Sequence, residues 1–352
     1  MASTSSTLAS SSPTTFRAYQ FEEFGDVLQV VKLGITQQQP LKPSEVCVRV
    51  YSAGVNPVDW KFVEYGSSFL PTAPSADRPF RVGFDVSGVV ESVGSEVNTL
   101  HVGDAVYGQA PFGGPGGFAN YIGGCGTFAE FVNIEAKYLA LKPSKLSFTE
   151  AAAVSNAAQT SYQALVESAN LQSGERVLIL GGSGGAGVFA VQLAKELKAS
   201  EVIATTSSRN FELLKSLGAE RTIDYTTEDW SEVIEQHSID VIYDCVGQPS
   251  AWNEGAQKVL KPNTGRYVSV QTGAGPASVF IESPIAATKL PHFSTQSSAE
   301  RLATLTQLFE SGSIVVPIHS EHAFEDLLGA FKQQKSNRAR GKIVLKVRNN
   351  ED

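Results

Sequence analysis

A glycine-rich stretch in the middle of the chain constrains its fold more than any other feature. An apolar run at 177–180 leads into a glycine-rich segment, and residues 188–197 repeat apolar side chains at helical spacing. This order predicts a strand, a tight turn and a helix. Gly182, Gly184 and Gly187 satisfy the G-x-G-x-x-G pattern within that turn.

Glycines suit such a turn because they adopt positive φ and let the backbone approach a pyrophosphate closely. The free N–H groups at the start of the following helix then face the phosphates. A flexible surface loop is the alternative in a chain with 31 glycines, but the strand and helix on either side disfavour it. The residues expected to bind a dinucleotide are Ser183, Gly184, Gly185, Ala186 and Gly187.

The composition excludes several classes of protein. A chain of 352 residues with 42% hydrophobic and 18% charged residues predicts a globular protein of two domains. The net charge of −8 argues against nucleic acid or an anionic membrane as the partner. No apolar run approaches the roughly 18 residues that a membrane span needs. We therefore expect a small-molecule partner.

Cysteine and histidine usage predicts no metal and a reducing compartment. The three cysteines and five histidines are scattered, without metal-ligand spacing. Residues 1–15 are rich in Ser, Thr and Ala without a charged side chain, which predicts a disordered tail. We expect a cytoplasmic protein, with organelle import through the Ser-rich N-terminus as the alternative.

Residues 16 to about 145 are predicted to be all-β. Short alternating or glycine-broken strands are predicted at 45–50, 84–94, 103–108 and 128–132. Together they suggest a barrel-like domain. Two long loops, 65–81 and 111–126, are predicted to be either a substrate wall or a solvent-exposed flap.

The pattern changes at Ser147, where Ser147 and Glu150 form a capping box that opens a helix. Strands and helices then alternate, which predicts a doubly wound parallel sheet. The predicted strands are 176–180, 201–206, 221–224, 239–244 and 265–270, and the predicted helices are 186–198, 209–217, 228–236 and 250–260.

The last part of the chain is predicted to return to the first domain. It contains a helix at 299–311, a strand at 315–318, a helix near 322–333 and a strand at 342–347. The expected domains are therefore 16–146 with 290–352, and 147–289 as an insertion that binds the nucleotide.

The end of the second strand of this sheet predicts the cofactor. NAD recognition needs a carboxylate roughly 20 residues after the glycines, where this chain has Thr206, Ser207, Ser208 and Arg209. Hydroxyls and a guanidinium instead suit a 2′-phosphate, so we expect NADPH. The alternative is that Ser207 or Ser208 only caps the next helix.

Several motifs in the same order resemble the medium-chain dehydrogenase/reductase superfamily, in its zinc-independent quinone oxidoreductase branch. They lie at 54–61, 82–90, 126–131, 181–187, 214–219 and 340–345. The resemblance covers the chain from about residue 16. It implies an α/β fold with a GroES-like β-barrel catalytic domain, a Rossmann nucleotide-binding domain, an active-site cleft between them and a homodimer.

The resemblance also shows where the chain departs from the zinc enzymes of the superfamily. Those enzymes carry a catalytic Cys where this chain has Asn56, and a Gly-His-Glu where it has Gly83, Phe84 and Asp85. They also carry a four-cysteine lobe that has no counterpart here. The expected chemistry is therefore hydride transfer without zinc.

Further cofactor contacts follow from the resemblance alone. Tyr225 matches a phosphate-binding Tyr, and Thr160 matches a Thr on the nicotinamide side. The remaining implied contacts, several of which have a surface role as the alternative, are Cys245, Val246, Gly247, Val270, Gln271, Thr272, Asn337, Arg340 and Lys342.

The catalytic candidates are Asn56, Asp59, Lys61 and Tyr65. Asn56 could hydrogen-bond the cofactor or the substrate, and Lys61 could donate to an oxyanion. Alternatively, Asp59 and Lys61 only pair with each other, and Asn56 satisfies a buried backbone group. Many quinone oxidoreductases have a Tyr in this loop; Tyr65 is the nearest, at a different offset, so solvent is the alternative proton source.

The predicted function is an NADPH-dependent quinone oxidoreductase. The first alternative is an NADPH-dependent alkenal, enone or trans-enoyl double-bond reductase, because quinones and enones share one geometry of hydride addition. The second is a non-enzymatic NADPH-binding redox sensor.

Overall fold

A computed structural model of the chain describes residues 14–68, 70, 72–111, 126–247, 250–270, 281–291, 295 and 297–348. Most of the predicted loop 111–126, and the candidate cofactor residues Gln271 and Thr272, lie outside the described residues. Among the helices described, none is long and apolar enough to cross a bilayer.

The described strands and helices follow in chain order. The strands are β1 Thr15–Phe21, β2 Lys32–Gln37, β3 Glu45–Val55, β4 Phe80–Arg81, β5 Asp85–Val93, β6 Ala105–Gln109, β7 Phe131–Glu135, β8 Leu139–Leu141, β9 Arg176–Leu180, β10 Glu201–Thr206, β11 Arg221–Asp224, β12 Val241–Asp244, β13 Arg266–Ser269, β14 Thr288–Lys289, β15 Ile318–Ala323 and β16 Lys342–Lys346. The α-helices are α1 Val27–Val30, α2 Pro57–Tyr65, α3 Phe148–Tyr162, α4 Gly187–Glu196, α5 Phe211–Ser216, α6 Trp230–Val233, α7 Gln257–Val259, α8 Ala299–Ser311 and α9 Leu327–Lys335.

The nucleotide-binding region contains the predicted parallel sheet. Its six strands run in the order β11-β10-β9-β12-β13-β14, and every pairing is parallel. In the central strand β9, Val177 and Ile179 enter one core, whereas Leu178 and Leu180 enter another on the opposite face. A strand buried on both faces explains the continuous apolar run in the sequence. The doubly wound prediction is confirmed.

A second sheet brings the two ends of the chain together. It runs in the order β15-β16-β3-β5-β6-β8, with β7 also paired to β3. Strand β16 pairs antiparallel with β3, which places Val344 opposite Gly54. The last strand of the chain therefore lies beside the strand that leads into the catalytic candidates.

Helix α8 packs against both parts of the molecule. Its Leu302, Leu305 and Phe309 join the core that covers one face of the parallel sheet. The Tyr107 hydroxyl of the other sheet donates to the Leu302 carbonyl oxygen at 2.9 Å. The proposed boundary at residue 290 stays a prediction.

Helix α2 corrects the all-β prediction for residues 16–145. Pro57 suits the first turn of a helix, where its missing N–H leaves no bond unmade. The Asp59 carboxylate accepts the Asn56 backbone N–H at 2.6 Å, as in a capping box. The helix therefore begins within the motif that carries the catalytic candidates.

Three strands begin or end at residues other than those predicted, because backbone pairing overrides the local sequence pattern. Strand β1 begins at Thr15, inside the predicted tail. Residues 128–130 bond to β1 and β3 ahead of β7, so the strand predicted at 128–132 is assigned to 131–135. The strand predicted at 315–318 runs instead over 318–323, because Pro317 has no N–H to donate to a ladder.

Three helix predictions also change. The helix predicted at 228–236 covers only α6, and the one predicted near 322–333 is α9, which starts at Leu327. The helix predicted at 250–260 is a π-helical segment over 251–256 followed by α7. The capping box at Ser147 and the helix at 299–311 are confirmed.

Candidate active site

The glycine-rich turn has the geometry that its sequence predicts. Gly181 has φ of 78°, and a Cβ added to Gly187 would lie 2.3 Å from the Gly181 carbonyl oxygen. A Cβ added to Gly184 would lie 3.3 Å from the same oxygen, which is a tight contact but not an overlap. Gly187 therefore permits close packing of α4, and Gly184 suits a position where the backbone approaches a pyrophosphate.

The turn also offers unused backbone donors. Within the described part of the chain, the N–H groups of Ser183, Gly185 and Ala186 have no backbone acceptor. Helix α4 begins directly after them and has no side-chain cap at its N-terminus. Donors of this kind beside a helix N-terminus suit a phosphate group.

Thr206, at the end of β10, supports the turn from behind. It is buried, and its hydroxyl donates to the Ser183 hydroxyl at 2.7 Å. The Asn210 side-chain amide donates to Ser183 and Thr206, each at 3.1 Å. The Thr206 hydroxyl is therefore engaged within the protein, and its role in cofactor binding stays a prediction.

The three residues that follow Thr206 differ in their contacts and exposure. Ser208 donates its backbone N–H to the Asp224 carboxylate at 2.9 Å. Hydrogen bonds from Thr226, and then from Ser208, lower the pKa of Asp224 to about 2. Ser207 precedes a short 3-10 turn without a side-chain capping bond. The Arg209 side chain is exposed and available to a ligand.

Positive charges gather near the end of β10. Burial, followed by the charges of Arg340 and Arg209, lowers the pKa of His319. Both guanidinium groups therefore act on the same imidazole, although they are far apart in the sequence. Two arginine side chains that both lie near His319 suit the binding of a phosphate monoester.

On the opposite side of the cleft, the start of α2 forms a buried polar cluster. Its members are Asn56, Asp59, Asp85 and Lys342, of which the most exposed, Asn56, shows only 4% of its surface. The Asn56 side-chain amide donates to Asp85 Oδ2 at 2.8 Å. Lys342 Nζ donates to Asn56 Oδ1 and, at 3.3 Å, to the Val55 carbonyl oxygen.

Burial dominates the electrostatics of this cluster. It raises the pKa of Asp85 to about 6, against the opposing effects of Lys342 and Asn56. It raises the pKa of Asp59 well above the usual range and lowers that of Lys342. Lys342 Nζ and Asp85 Oδ2 are 3.9 Å apart.

Lys61 and Trp60 form the outer part of the same wall. Lys61 Nζ lies 5.6 Å from the centre of the Trp60 ring, and burial lowers the pKa of its ammonium group. Tyr65 packs edge-on against Trp60, with ring centres 6.2 Å apart, and is not among the residues that line the cleft. A catalytic role for Tyr65 therefore has no support in this conformation.

A cleft of about 1630 Å³ lies between the glycine-rich turn and the α2 wall. The predicted site residues that line it are Asn56, Lys61, Thr160, Ser183, Gly184, Gly185, Ala186, Gly187, Thr206, Tyr225, Cys245, Val246, Val270, Asn337 and Lys342. Those described residues that lie outside its lining are Asp59, Tyr65, Ser207, Ser208, Arg209, Gly247 and Arg340.

The two walls meet through the start of β16. Gly341 donates its N–H to the Ser183 carbonyl oxygen at 2.9 Å. A Cβ added to Gly185 would lie 3.3 Å from Lys342 Cδ. The ammonium group of Lys342 is therefore committed to Asn56 and Val55, while its stem packs against the glycine-rich turn.

Other residues expected to contact the cofactor are held in place by neighbouring residues that the sequence analysis did not identify. The Asp244 carboxylate accepts the N–H groups of Val246 and Gly247, both at 2.8 Å, which shapes the turn after β12. Thr160 donates to the Asn156 carbonyl oxygen at 2.8 Å, and its hydroxyl lies 2.5 Å from that of Thr295.

Asp85 is the most informative residue that was missed as a site residue. Its only signal in the sequence is its position in the segment where zinc enzymes of the resembled superfamily carry Gly-His-Glu. Nothing local to that segment indicates that it meets Asn56 and Lys342. In the part of the chain that the structure describes, no three His, Cys, Asp or Glu side chains are grouped to hold a metal ion.

Comparison with known families and proteins agrees with this architecture. Residues 42–144 match the alcohol dehydrogenase GroES-like domain family, and residues 217–345 match the zinc-binding dehydrogenase family. A 2-methylene-furan-3-one reductase from Solanum lycopersicum is 38% identical over 95% of this chain and 79% of its own length.

Two further proteins resemble the chain over nearly its whole length. A chloroplastic NADPH-dependent alkenal/one oxidoreductase from Arabidopsis thaliana is 34% identical over 96% of this chain and 81% of its own. The structure of the quinone oxidoreductase from Coxiella burnetii superimposes with a TM-score of 0.80 at 31% identity, covering 95% of this chain and all of that one.

These relatives span the two reductase types that the motifs suggest. In this chain a GroES-like domain match precedes a dehydrogenase domain match, and the cleft lies between the two sheets, at the kind of domain interface where ligand pockets preferentially occur. The chain belongs to the medium-chain dehydrogenase/reductase superfamily, in the branch that contains the zinc-independent quinone oxidoreductases and the enoyl reductases.

Proposed function

We propose that the protein reduces the carbon–carbon double bond of a small α,β-unsaturated ketone or aldehyde, with NADPH as the hydride donor. The observation that carries this proposal is Lys61, a cation on the α2 wall that faces the same cleft as the glycine-rich turn. The relatives from Solanum lycopersicum and Arabidopsis thaliana, both named as reductases of such compounds, support the choice of substrate class.

The residues of the nucleotide wall fit NADPH. The glycine at position 184 and the unused N–H groups beside it suit the pyrophosphate. The strand β10 ends in Thr206 rather than in a carboxylate, and Arg209 and Arg340 supply positive charge nearby. When bound, NADPH supplies a hydride to the β-carbon of the acceptor.

Lys61 would stabilise the product of that transfer. As the β-carbon gains a hydride, the electron pair of the double bond moves to the carbonyl oxygen, which becomes an enolate. An ammonium group beside that oxygen donates a hydrogen bond to the developing charge. Its lowered pKa also makes its proton easier to transfer. A proton from solvent at the α-carbon completes the reduction.

A steady-state assay with matched substrates tests this proposal. Consumption of NADPH is followed with 2-hexenal, and the product is identified by mass spectrometry and NMR. Hexanal, which has the same chain without the double bond, is the control. We expect 2-hexenal to be converted to hexanal without further reduction to hexanol. Reduction of hexanal at a comparable rate would overturn the proposal, because it would indicate carbonyl chemistry.

Quinone reduction is the second candidate, favoured by the resemblance to the quinone oxidoreductase structure from Coxiella burnetii. It needs the same hydride donor and the same cation near oxygen, since negative charge again develops on a carbonyl oxygen. 9,10-Phenanthrenequinone replaces 2-hexenal in the same assay. Turnover with the quinone alone would favour this second function over the first.

A further inference from the structure

The side-chain amide of Asn56 lies between two groups of opposite charge. Lys342 Nζ contacts its Oδ1, and Asp85 Oδ2 accepts from its Nδ2 at 2.8 Å. An ammonium group can only donate hydrogen bonds, and an ionised carboxylate can only accept them. The reverse orientation would put the NH₂ group against the ammonium and the oxygen against the carboxylate. The two charges therefore determine which way the amide points.

This orientation decides what Asn56 can offer to a ligand. One N–H of the amide goes to Asp85, and the Gly54 carbonyl oxygen lies 3.4 Å from the same nitrogen. Oδ1 has two lone pairs, of which Lys342 uses one, because the Asp59 N–H donates to the Asn56 backbone carbonyl oxygen at 3.1 Å. Asn56 lines the cleft. The group it retains for a ligand is therefore a hydrogen-bond acceptor.

The position of the amide indicates which ligand it meets. Lys342 connects it to the glycine-rich turn, because the stem of Lys342 packs against Gly185 and Gly341 bonds to Ser183. Thr206 and Tyr225 line the cleft beside the end of β10, where the proposed use of NADPH puts the adenosine half, whereas Asn56 belongs to the α2 wall. A carbonyl oxygen of the substrate could not bind to an acceptor, but a hydroxyl or N–H group of the cofactor could.

We propose that Asp85 and Lys342 are positioning residues that hold the Asn56 amide as a hydrogen-bond acceptor for the nicotinamide-ribose half of the cofactor. This inference rests on the proposed use of NADPH and deepens it. It assigns the stabilisation of the substrate oxyanion to Lys61 alone on this wall. It also gives a role to Asp85, which is fully buried and does not itself line the cleft.

An exchange of the two side chains tests the proposal. N56D alone places two carboxylates side by side, and D85N alone removes the anion that orients the amide. The double variant N56D/D85N puts the carboxylate next to Lys342 and the amide behind it, so an acceptor again faces the cleft. Dissociation constants are measured by fluorescence for NADPH and for adenosine 2′,5′-bisphosphate, which contains only the adenosine half.

We expect each single variant to weaken NADPH binding by about tenfold, and the exchange to restore it to within about threefold of the wild type. Binding of adenosine 2′,5′-bisphosphate should not change in any variant. If the exchange stays as weak as N56D while the bisphosphate still binds, Asn56 acts as a donor and the proposal is overturned. Equal loss of both ligands would also overturn it, because the cluster would then support the whole cleft.

If the variants do not fold, a binding measurement on the wild-type protein tests the proposal instead. The charged groups that face Asp85 are Lys342 on β16 and Asp59 on α2, and the backbone of Asn156 on α3 contacts it. In this measurement adenosine 2′-monophosphate replaces the bisphosphate, because its only phosphate is the 2′-phosphate that NADPH also carries, so the titration of that group cancels. Protonation of Asp85 should release the amide, so the ratio of NADPH to monophosphate affinity should fall below pH 6. A constant ratio would count against the proposal.

Separate measurements of NADPH binding and of substrate turnover distinguish this inference from the proposed function. A protein that binds NADPH with the expected pattern but reduces neither 2-hexenal nor the quinone supports the positioning role and contradicts the proposed substrates. A wild-type protein that does not bind NADPH contradicts both.

Discussion

The two walls of the cleft are built in different ways. The nucleotide wall is made of backbone: Gly187 permits close packing of α4, and the N–H groups of Ser183, Gly185 and Ala186 have no backbone acceptor among the described residues. The α2 wall is made of side chains, in which Asn56 is held by Asp85 and Lys342. A backbone site depends on a few consecutive residues, whereas a side-chain site depends on charges from distant segments. Substitutions on the nucleotide wall should therefore affect cofactor binding, whereas on the α2 wall the Asn56 cluster should affect cofactor binding and Lys61 should affect chemistry.

The largest effect is expected on the backbone wall, from Gly187→Ala. The added Cβ would lie 2.3 Å from the Gly181 carbonyl oxygen and 2.6 Å from that of Gly182, so the turn must move. We expect a loss of stability of about 2 kcal/mol and a loss of NADPH affinity of about 100-fold. Thermal unfolding and fluorescence titration measure these two quantities.

Gly184→Ala is the matched control for that change. Its added Cβ would lie 3.3 Å from the Gly181 carbonyl oxygen, a tight contact that a small shift relieves, so the protein should lose less stability than Gly187→Ala while the ligand loses space. Weaker NADPH binding with a smaller fall in melting temperature than that of Gly187→Ala is the expected result. A stability loss as large as that of Gly187→Ala would show that the two glycines do not divide the roles as described.

The next effect concerns chemistry on the α2 wall. Lys61→Met should lower kcat by about 100-fold, because it removes a donor to the oxyanion, and should leave the NADPH dissociation constant unchanged. Lys335→Met is the control, since Lys335 Nζ also lies over the Trp60 ring, at 5.1 Å, but outside the cleft lining. A weaker NADPH affinity with normal kcat in Lys61→Met would contradict the chemical role of Lys61.

A smaller effect should appear at the phosphate end of the nucleotide wall. Arg209→Ala should weaken NADPH by about tenfold and leave NADH unchanged, because a charge-assisted bond to the 2′-phosphate is lost. Lys215→Ala removes a surface charge from α5, where Lys215 pairs with Glu212, and should affect neither ligand. Equal weakening of NADPH and NADH by Arg209→Ala would contradict the assignment of the cofactor.

The smallest effect is a pH dependence of stability that belongs to Asp85. Burial raises the pKa of this carboxyl to about 6 in the folded protein, above its ordinary value of 3.8. Its favourable contribution is therefore complete below pH 3.8 and is lost as the pH rises through about 6. We expect the free energy of unfolding of D85N, relative to wild type, to increase between pH 4.5 and 7.5. Urea titrations at several pH values measure this difference. A difference that does not change with pH would show that the titration does not belong to Asp85.

Local patterns explain how much of the fold could be predicted. The parallel strands are buried on both faces and read as apolar runs, so β9, β10 and β11 appear at their predicted bounds. Helix α2 was missed because only one proline and one capping box mark it in a segment expected to be all-β. The contact between the Thr206 and Ser183 hydroxyls could not be predicted, because no spacing in the sequence reveals it.

The sequence by itself determined the family, the parallel sheet and the position of the phosphate-binding turn, because each depends on residues that are close together in the chain. Only the tertiary structure brought Asn56, Asp85 and Lys342 together, through the pairing of β16 and β5 with β3. Their orientation follows from charges that become strong only when the groups are buried together. The direction in which Asn56 points is therefore a property of the fold.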